Sequence, residues 1–286
     1  MKTEVYLIQP FTNMHVGSGK ENSGIVDNMV QRDVLTNYPV INSTSLKGAL
    51  KEYFDKVRYR HQPNKDAIIE KVFGIGNKKI EGQEDDKLVN IPGKFNFFSA
   101  NLLSIPARSD KFPFLNATSP QIIEDLLKQF SLLENIIDDK TIEAFNCLLS
   151  FKNQEGAICF DPDLENAVVE FYNVKAQLRN ISNDQLLILK KWIGENIVLV
   201  DNKIFKNEIV GKLPIIARNH LNNGQSANLW YEEIVPRESR FYTFISARED
   251  DWDSIDFNIR SIQIGGNSSV GYGFSSIYQV KYEGGV

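Results

Sequence analysis

Residues 38–57, YPVINSTSLKGALKEYFDKV, carry the clearest structural signal in the chain. The first four residues, YPVI, have the composition of a short strand, and a helical pattern follows them. Asn42, Ser43 and Thr44 are of the types that commonly cap the start of a helix. The segment therefore predicts a strand that leads into an amphipathic helix. The apolar residues of this helix are spaced three or four positions apart: Leu46, Ala49, Leu50, Tyr53, Phe54 and Val57.

Strand-like segments lie at both ends of the chain, with helices between them. EVYLIQ at 4–9 alternates as a strand does, and RFYTFISA at 240–247 is a second strand candidate. The end of the chain, IQIGGNSSVGYGFSSIYQV, predicts two strands around a glycine-rich loop. This mixture lacks the regular strand and helix alternation of a doubly wound sheet, so we expect an α+β fold with helices on one face of the sheet. Helices are predicted near 119–130, 139–150 and 183–195.

Two segments are expected to leave the compact body. Residues 214–220 and 227–231 flank the polar turn LNNGQS and predict a β-hairpin. The hairpin has too few apolar residues on its two faces to lie in the core, so we expect an arm that projects from the body. Residues 61–92 are polar and interrupted, which predicts a loop insertion.

The composition is that of an ordinary globular protein. The chain has 286 residues, 42% hydrophobic and 24% charged, which suits one elaborated domain. Its net charge of -5 argues mildly against nucleic acid, although residues 47–60 are locally basic. Cys147 and Cys159 fit neither a zinc pattern nor a disulfide framework, which favours a reducing compartment. We see neither a leader nor an apolar span, so we expect a cytoplasmic protein without a membrane partner.

Two segments have the chemistry of phosphate-binding sites. The helix start offers unpaired backbone N–H groups together with Ser43, Thr44, Ser45, Lys47 and, one turn later, Lys51. The glycines of GGNSSVGYGF at 265–274 allow a backbone to approach phosphate oxygens closely. The alternatives are a capped helix with solvated lysines and a flexible hairpin turn.

A long polar loop at 13–33 offers His15, Asp27 and Asp33. Cleavage of a phosphodiester needs a group that deprotonates the attacking hydroxyl or holds a metal ion on the phosphate, and a loop carboxylate suits either role. The alternative is a solvated loop aspartate. The acidic runs at 84–86 and 250–251 have the pattern of solvated faces, and we see no two-metal constellation.

Five segments, in order along the chain, resemble the motifs of one family: PFTNMHVGSGKENSGIVDNMVQRD (10–33), YPVINSTSLKGAL (38–50), FFSANLLSIPARS (97–109), NLWYEEIVPRESRFYTFI (228–245) and IQIGGNSSVGYGF (262–274). The chain is therefore similar to the RAMP superfamily, and specifically to the repeated backbone subunits of type III-B CRISPR (Cmr) effector complexes. The resemblance covers nearly the whole chain and is weakest over 59–92.

The resemblance implies one RAMP domain over 1–286, with an RRM-like (ferredoxin-like) palm, helical insertions and a β-hairpin thumb near 213–235. It implies a subunit that stacks on copies of itself and contacts other Cmr subunits along a CRISPR RNA. The thumb would wedge into the duplex between guide and complementary target RNA. The target would then be cut at regular intervals, once per subunit.

The resemblance also implies roles for single residues. Asp27 corresponds to the family's cleavage aspartate and would hold Mg²⁺ or another divalent cation. His15 corresponds to its loop histidine, and Glu232 or its neighbour Glu233 to its hairpin glutamate. The implied RNA contacts are Ser43, Thr44, Ser45, Lys47, Lys51, Arg218, Gly266, Asn267 and Ser269.

Three other functions remain open at this point. A purely structural guide-binding filament subunit would share every feature except the chemistry of Asp27. A guide-processing endonuclease of the same superfamily would act without metal, through a histidine such as His15. The third alternative is an unrelated small-molecule enzyme, but we see no nucleotide or cofactor motif in the sequence that would support it.

Overall fold

The structure is a computed structural model that describes residues 1–20, 26–79, 88–133, 136–170, 172–223 and 225–280. Its strands are β1 (Lys2–Pro10), β2 (Gly17–Lys20), β3 (Asn28–Val30), β4 (Val40–Ile41), β5 (Gly74–Lys79), β6 (Leu88–Pro92), β7 (Asn96–Phe97), β8 (Ala100–Ala107), β9 (Leu115–Thr118), β10 (Ala157–Cys159), β11 (Val168–Val169), β12 (Tyr172–Leu178), β13 (Ile197–Val200), β14 (Ile215–Asn222), β15 (Gln225–Glu233), β16 (Arg240–Ala247), β17 (Ile259–Gln263) and β18 (Phe274–Val280). Its α-helices are α1 (Ser43–Tyr53), α2 (Lys65–Phe73), α3 (Pro120–Leu132), α4 (Asp139–Leu149), α5 (Asn183–Ile193) and α6 (Asn202–Ile204).

A twelve-stranded sheet forms the centre of the molecule. Four of its strands lie side by side in the order β8, β16, β1, β18, and each pair is antiparallel. The sheet continues beyond β8 through β9, β13, β10, β12 and β11, with parallel pairing between β13 and β9 and between β10 and β12. The fold is therefore a mixed α and β fold on one large, mostly antiparallel sheet, in agreement with the predicted α+β class.

Helices cover both faces of the central sheet, not the single face that the sequence predicts. Val5 and Phe244 are register partners, and Phe130 of α3 packs edge-on against Phe244 with ring centroids 6.4 Å apart. Tyr6 points to the opposite face because successive strand residues alternate. There it meets Phe257, which also contacts Phe54 beyond the end of α1. Strand β1 is consequently buried on both sides, in keeping with its unbroken apolar run from Val5 to Ile8.

The predicted amphipathic helix forms, but its last turn is not α-helical. Leu46, Leu50 and Phe54 are fully buried, as the spacing predicts. After Tyr53 the chain continues as a π-helical turn, Phe54–Arg58, and the Tyr59 N–H donates to the Phe54 carbonyl at 2.9 Å. The extra residue in this turn rotates Val57 away from the core, so Val57 is 64% exposed.

An antiparallel hairpin of β14 and β15 lies where the sequence predicts one. Most side chains of its outer part are exposed, whereas the last two residues of β15, Glu232 and Glu233, are buried. The hairpin belongs to a separate four-stranded sheet with the order β14, β15, β3, β2. The loop that the sequence predicts at 13–33 therefore contributes two short strands to the base of the hairpin. Residues 21–25 of this loop lie outside the described residues.

The structure differs from the predicted loop insertion at 61–92. It contains helix α2 and the paired strands β5 and β6, while residues 80–87 lie outside the described part. Ile69, Val72 and Phe73 of α2 are buried, at a spacing of three and four residues that the surrounding polar sequence masks. Among the described residues, no helix combines the length and the apolar character needed to cross a membrane.

Candidate nucleic-acid interface

The three candidate segments of the sequence meet at one cleft. It has a volume of about 370 Å³ and lies between the start of α1, the β2–β3 region and the glycine-rich loop. Backbone and hydroxyl groups dominate its wall, with a single acidic side chain at its margin, which suits the phosphates of an extended chain. The lining residues are Val16, Gly17, Gln31, Thr44, Ser45, Gly48, Ala49, Glu52, Gln263 and Gly265.

The start of α1 presents hydroxyls and an ammonium group beside this cleft. Gln31 donates to the Ser45 hydroxyl at 3.0 Å, and the Ser43 N–H donates to the Ser99 hydroxyl at 3.1 Å. Thr44 is exposed, and the Lys47 ammonium lies 5.9 Å from the centre of the Phe97 ring. Lys51 is exposed one turn further along. Thr44 and Ser45 therefore line the cleft, whereas Ser43 and Lys47 line a second cleft that shares Thr44.

The glycine-rich loop packs directly on His15. The Gly266 N–H donates to the His15 carbonyl at 2.8 Å. Gly265 has φ +88°, and a Cβ at this position would overlap the same carbonyl oxygen, so only glycine fits. Asn267 has φ 64° and turns its side chain inward, whereas Ser269 is exposed at the tip of the loop.

His15 is buried, with 8% exposure, and its ring orientation is set by the hairpin. Its Nδ1 lies 2.8 Å from the Glu233 carbonyl oxygen. Because a carbonyl only accepts, Nδ1 carries the hydrogen of this bond. A Cβ on Gly17 would lie 2.9 Å from Nε2, so glycine at this position makes room for the imidazole. His15 thus has Nδ1 fixed to the hairpin and Nε2 beside Gly17, a residue that lines the cleft.

Asp27 is exposed and is fixed to the same hairpin strand. Its Oδ2 accepts from the Tyr231 N–H at 2.8 Å, and its own N–H donates to the Tyr231 carbonyl at 3.1 Å. Tyr231 and Glu233 are two residues apart on β15, so their backbone groups lie on one edge of the strand, about 7 Å apart. One strand edge therefore holds both Asp27 and His15.

Glu232 is buried and saturated with hydrogen bonds. Oε1 accepts from Trp230 Nε1 at 2.8 Å and Asn28 Nδ2 at 3.3 Å, and Oε2 accepts from Asn267 Nδ2 at 2.8 Å and Arg218 at 3.1 Å. Burial raises the pKa of this carboxyl, but the bonds from Trp230 and Arg218 outweigh burial and hold its pKa below the ordinary value. Glu232 therefore stays ionised at neutral pH, with both oxygens occupied by protein donors.

Glu233 forms a second buried ion pair. Its Oε1 lies 2.5 Å from Arg32, and its Oε2 accepts from the Val30 N–H at 3.1 Å. Arg32 also donates to the carbonyls of Asn37 and Val210. Adjacent strand residues point to opposite faces, so the two glutamates fix β3 from two sides. The sequence left open which of them is the functional glutamate, and the structure gives each a partly buried arginine partner.

Arg218 is less available to a ligand than the sequence predicts. Its guanidinium carbon lies 5.7 Å from the ring centres of both Trp230 and Tyr272, and it pairs with Glu232. Its side chain retains 20% exposure. It therefore links the hairpin to the glycine-rich loop and offers RNA only an edge of its guanidinium group.

The fit of a divalent cation was tested on the carboxylates. Within the described ranges, no group of three or more His, Cys, Asp or Glu side chains is arranged to hold a metal ion. Mg²⁺ commonly binds through one or two carboxylates together with substrate phosphates and water. Exposed Asp27 fits such a partial site, whereas Glu232 and Glu233 do not, because their oxygens are occupied.

Sequence reasoning missed four residues that build the site: Asn28, Arg32, Trp230 and Tyr272. Arg32 and Glu233 are 201 positions apart, so no local pattern announces their pairing. Trp230 and Tyr272 lie within the conspicuous segments at 228–245 and 262–274, but their stacking on Arg218 depends on two loops meeting in space. The available signal was the presence of aromatic residues in both segments.

The architecture is an α+β fold with a polar cleft and a carboxylate-bearing loop fixed to a hairpin. The chain belongs to the RAMP superfamily, whose model matches residues 8–276. This confirms the family predicted from the five motifs.

Two relatives are similar over almost their whole length. The CRISPR system Cmr endoribonuclease Cmr4 of Pyrococcus furiosus is 28% identical, with 97% of this chain and 95% of that protein covered. The CRISPR system CMR subunit Cmr4 of Saccharolobus solfataricus is also 28% identical, with 94% and 93% covered. The predicted resemblance to the backbone subunit of type III-B Cmr complexes is thereby confirmed.

Solved structures show the same fold. A chain of the type III-B Cmr-beta complex bound to cognate target RNA superimposes with a TM-score of 0.76 at 22% identity, covering 98% of this chain and 97% of that one. Oligomeric Cmr4 from Pyrococcus furiosus superimposes with a TM-score of 0.69 at 21% identity, covering 98% and 100%. At these identities the likeness is one of fold.

Proposed function

We propose that this protein is a repeated backbone subunit of a type III-B CRISPR effector complex, acting in the cytoplasm. It binds CRISPR RNA, assembles with copies of itself and with other Cmr subunits, and cleaves guide-complementary target RNA. The family match and the two Cmr4 relatives support the assembly. The observation that carries the cleavage role is the attachment of exposed Asp27 to the hairpin strand that also fixes His15.

In this proposal the palm binds the guide. Numbered along the chain, the four strands β1, β8, β16 and β18 are first to fourth. Across the sheet they lie in the order second, third, first, fourth, with antiparallel pairing throughout, which supports an RRM-like assignment. The cleft would take guide phosphates between Thr44 and Ser45 of α1 and Gly265 of the glycine-rich loop, with Ser43 and Lys47 at the adjoining cleft. Sequence recognition is left to base pairing, so backbone contacts suffice.

The hairpin β14–β15 would act as the thumb that opens the guide–target duplex. A nucleotide displaced beside it exposes its phosphate to in-line attack by the neighbouring 2′-oxygen. Attack forms the bond from the 2′-oxygen to phosphorus and releases the 5′-oxygen, with one proton leaving the 2′-hydroxyl and one reaching the leaving group. Asp27 stands at the base of this hairpin, and His15 Nε2 lies beside Gly17, which lines the cleft.

A divalent cation fits this proposal at Asp27 alone among the predicted catalytic residues. When bound there with phosphate oxygens, it would supply positive charge for the developing negative charge on the phosphate. Glu232 would keep the hairpin and the adjacent loop in place and would bind no metal, since four protein donors occupy its oxygens.

The test uses the assembled complex, an end-labelled guide-complementary RNA and magnesium. Wild type should give products at a regular spacing. Asp27→Ala and Asp27→Asn should each slow cleavage by at least about 100-fold, because a positioned proton-transfer or metal-binding carboxylate contributes that much. Asp184→Asn, an exposed aspartate in the first turn of α5, is the matched control and should cleave as wild type does.

Asp27 also has a structural bond, which favours a second candidate function. Its Oδ2 accepts from Tyr231, so Asp27 serves the fold of a non-cleaving guide-binding subunit equally well. The substitution Asp27→Asn would keep an acceptor for Tyr231 while removing the charge. Wild-type cleavage by Asp27→Asn, with loss only in Asp27→Ala, would establish the structural function. Cleavage that persists in EDTA would remove the metal from the proposal.

A further inference from the structure

We propose that Glu232 is a positioning residue that couples the glycine-rich loop to the loop that carries Asp27. The inference rests on the proposed function and deepens it. Its basis is a single buried carboxylate whose two oxygens reach two separate RNA-facing segments. Oε1 accepts from Asn28, the residue after Asp27, and Oε2 accepts from Asn267 in the glycine-rich loop.

The loop that carries Asp27 is attached to the hairpin through both glutamates. Glu233 holds Val30 and Arg32, three and five residues after Asp27. Closer to Asp27, the parallel ladder between β3 and β15 has one register pair, Glu232 opposite Asn28, and two bonds between Asp27 and Tyr231 extend it by one residue. Glu232 is therefore a hairpin side chain that holds the residue next to Asp27.

The glycine-rich loop is anchored through Asn267 from the other direction. The Asn267 side chain donates to Glu232 at 2.8 Å, and its carbonyl accepts from the N–H groups of Val270 and Tyr272. Tyr272 in turn lies against Arg218, the charge partner of Glu232. A shift of this loop on guide binding is transmitted to the one carboxylate that also holds Asn28.

The contacts of Glu232 with Asn28, Asn267 and Arg218 are expected to be rigid because the carboxylate is buried. Glu232 is 5% exposed, and its Arg218 partner is stacked between Trp230 and Tyr272. An ion pair in such surroundings is screened little by solvent, and removing one charge leaves the other without its partner. The neutral variant Glu232→Gln has the same size and shape, but its amide NH₂ would face donors on Arg218 and Asn267. These contacts should therefore weaken while the packing volume is kept.

The experiment is a double-mutant cycle in the assembled complex with guide bound. Glu232→Gln, Asn28→Ala and Asn267→Ala are made singly and in pairs, and single-turnover cleavage is measured at saturating target. Each single variant should cleave about 10-fold to 100-fold more slowly, as expected when the support of a catalytic group is removed. The dissociation constant of the Glu232→Gln complex for target RNA, measured separately, should match wild type, because protein donors occupy both oxygens of the buried Glu232 carboxylate.

The pairs decide between coupling and independent effects. If Glu232 couples the two loops, each double variant should cleave at about the rate of its slower single variant. Multiplied losses would show that Asn28 and Asn267 act independently and would overturn the proposal. Asn146→Ala, an exposed asparagine on α4, is the matched control and should leave the rate unchanged.

A readout other than activity guards against a folding artefact. Amide hydrogen exchange of residues 28–30 should accelerate in Glu232→Gln, while the strands of the central sheet exchange as in wild type. Unchanged exchange rates at residues 28–30 would contradict the proposal that Glu232 positions the loop that carries Asp27. If Asp27→Asn abolishes cleavage but Glu232→Gln cleaves normally, this inference alone fails. If Asp27→Asn cleaves normally, the proposed function fails instead.

Discussion

At the scale of single residues, the glycine-rich loop contains two glycines that are required for different reasons, one for its backbone dihedral angles and one also for the lack of a side chain. Gly271 and Gly273 both have left-handed backbones, with φ +83° and +76°. A Cβ on Gly271 would meet nothing within 4 Å, whereas a Cβ on Gly273 would overlap the Ile264 carbonyl oxygen. The first position needs glycine for its dihedral angles alone, and the second also needs the space.

The two glycines therefore form a matched pair. Gly271→Ala should lower the free energy of unfolding by about 1–2 kcal/mol, the ordinary cost of a left-handed L-residue. Gly273→Ala should cost clearly more, because β17 and β18 must separate to admit the methyl group. Urea unfolding of both variants measures the difference. Equal losses would show that the close approach of Gly273 to Ile264 is absent in solution.

At the scale of elements, the sequence predicts those structures whose signals are local. The helices α1, α3, α4 and α5, the hairpin and the strands β1 and β16 all follow from spacing, caps and β-branched or aromatic composition. The π-helical turn after Tyr53 does not, because neighbours distant in sequence decide it. The same holds for the site, where motifs marked Asp27 and the glycine-rich loop but not the pairing through Glu232.

Helix α5 offers a test of register. Leu189 is fully buried beside the core, whereas Leu187, two positions earlier, is 67% exposed. Leu189→Ala should cost about 2–5 kcal/mol because it removes buried methyl groups and leaves a cavity. Leu187→Ala should stay within about 0.5 kcal/mol of wild type. Thermal or urea denaturation compares them, and a reversed order of stabilities would show that the helix packs in another rotation.

At the scale of the whole molecule, a net charge of -5 must be reconciled with a polyanionic partner. The negative net charge does not prevent binding if a few cationic side chains contact the guide at one cleft. Each such contact with a phosphate releases counterions from the RNA and so contributes to the affinity individually. Lys47 lies beside the start of α1 and lines a small adjoining cleft with Phe95 and Phe97. Its contribution should therefore appear as a change in salt dependence.

Lys47→Ala should weaken guide RNA binding and reduce the slope of log K against log salt concentration by about 0.7, the value for one phosphate contact on a single strand. Lys140→Ala, an exposed lysine in the first turn of α4, provides the control and should leave the slope unchanged. Filter binding across a series of salt concentrations gives both slopes. Identical slopes for wild type and Lys47→Ala would place the guide elsewhere.

The position of β1 has a consequence for the order in which the chain acquires its structure during synthesis. Both neighbours of β1 come from the far end of the sequence, so that Thr3 bonds to Ser246, 243 positions later. While the ribosome is still translating the intervening helices, the apolar side chains from Val5 to Ile8 have no partner strand. Strand β1 thus completes its pairing only after β16 and β18 have been synthesised, and until then the nascent chain carries an unpaired apolar strand.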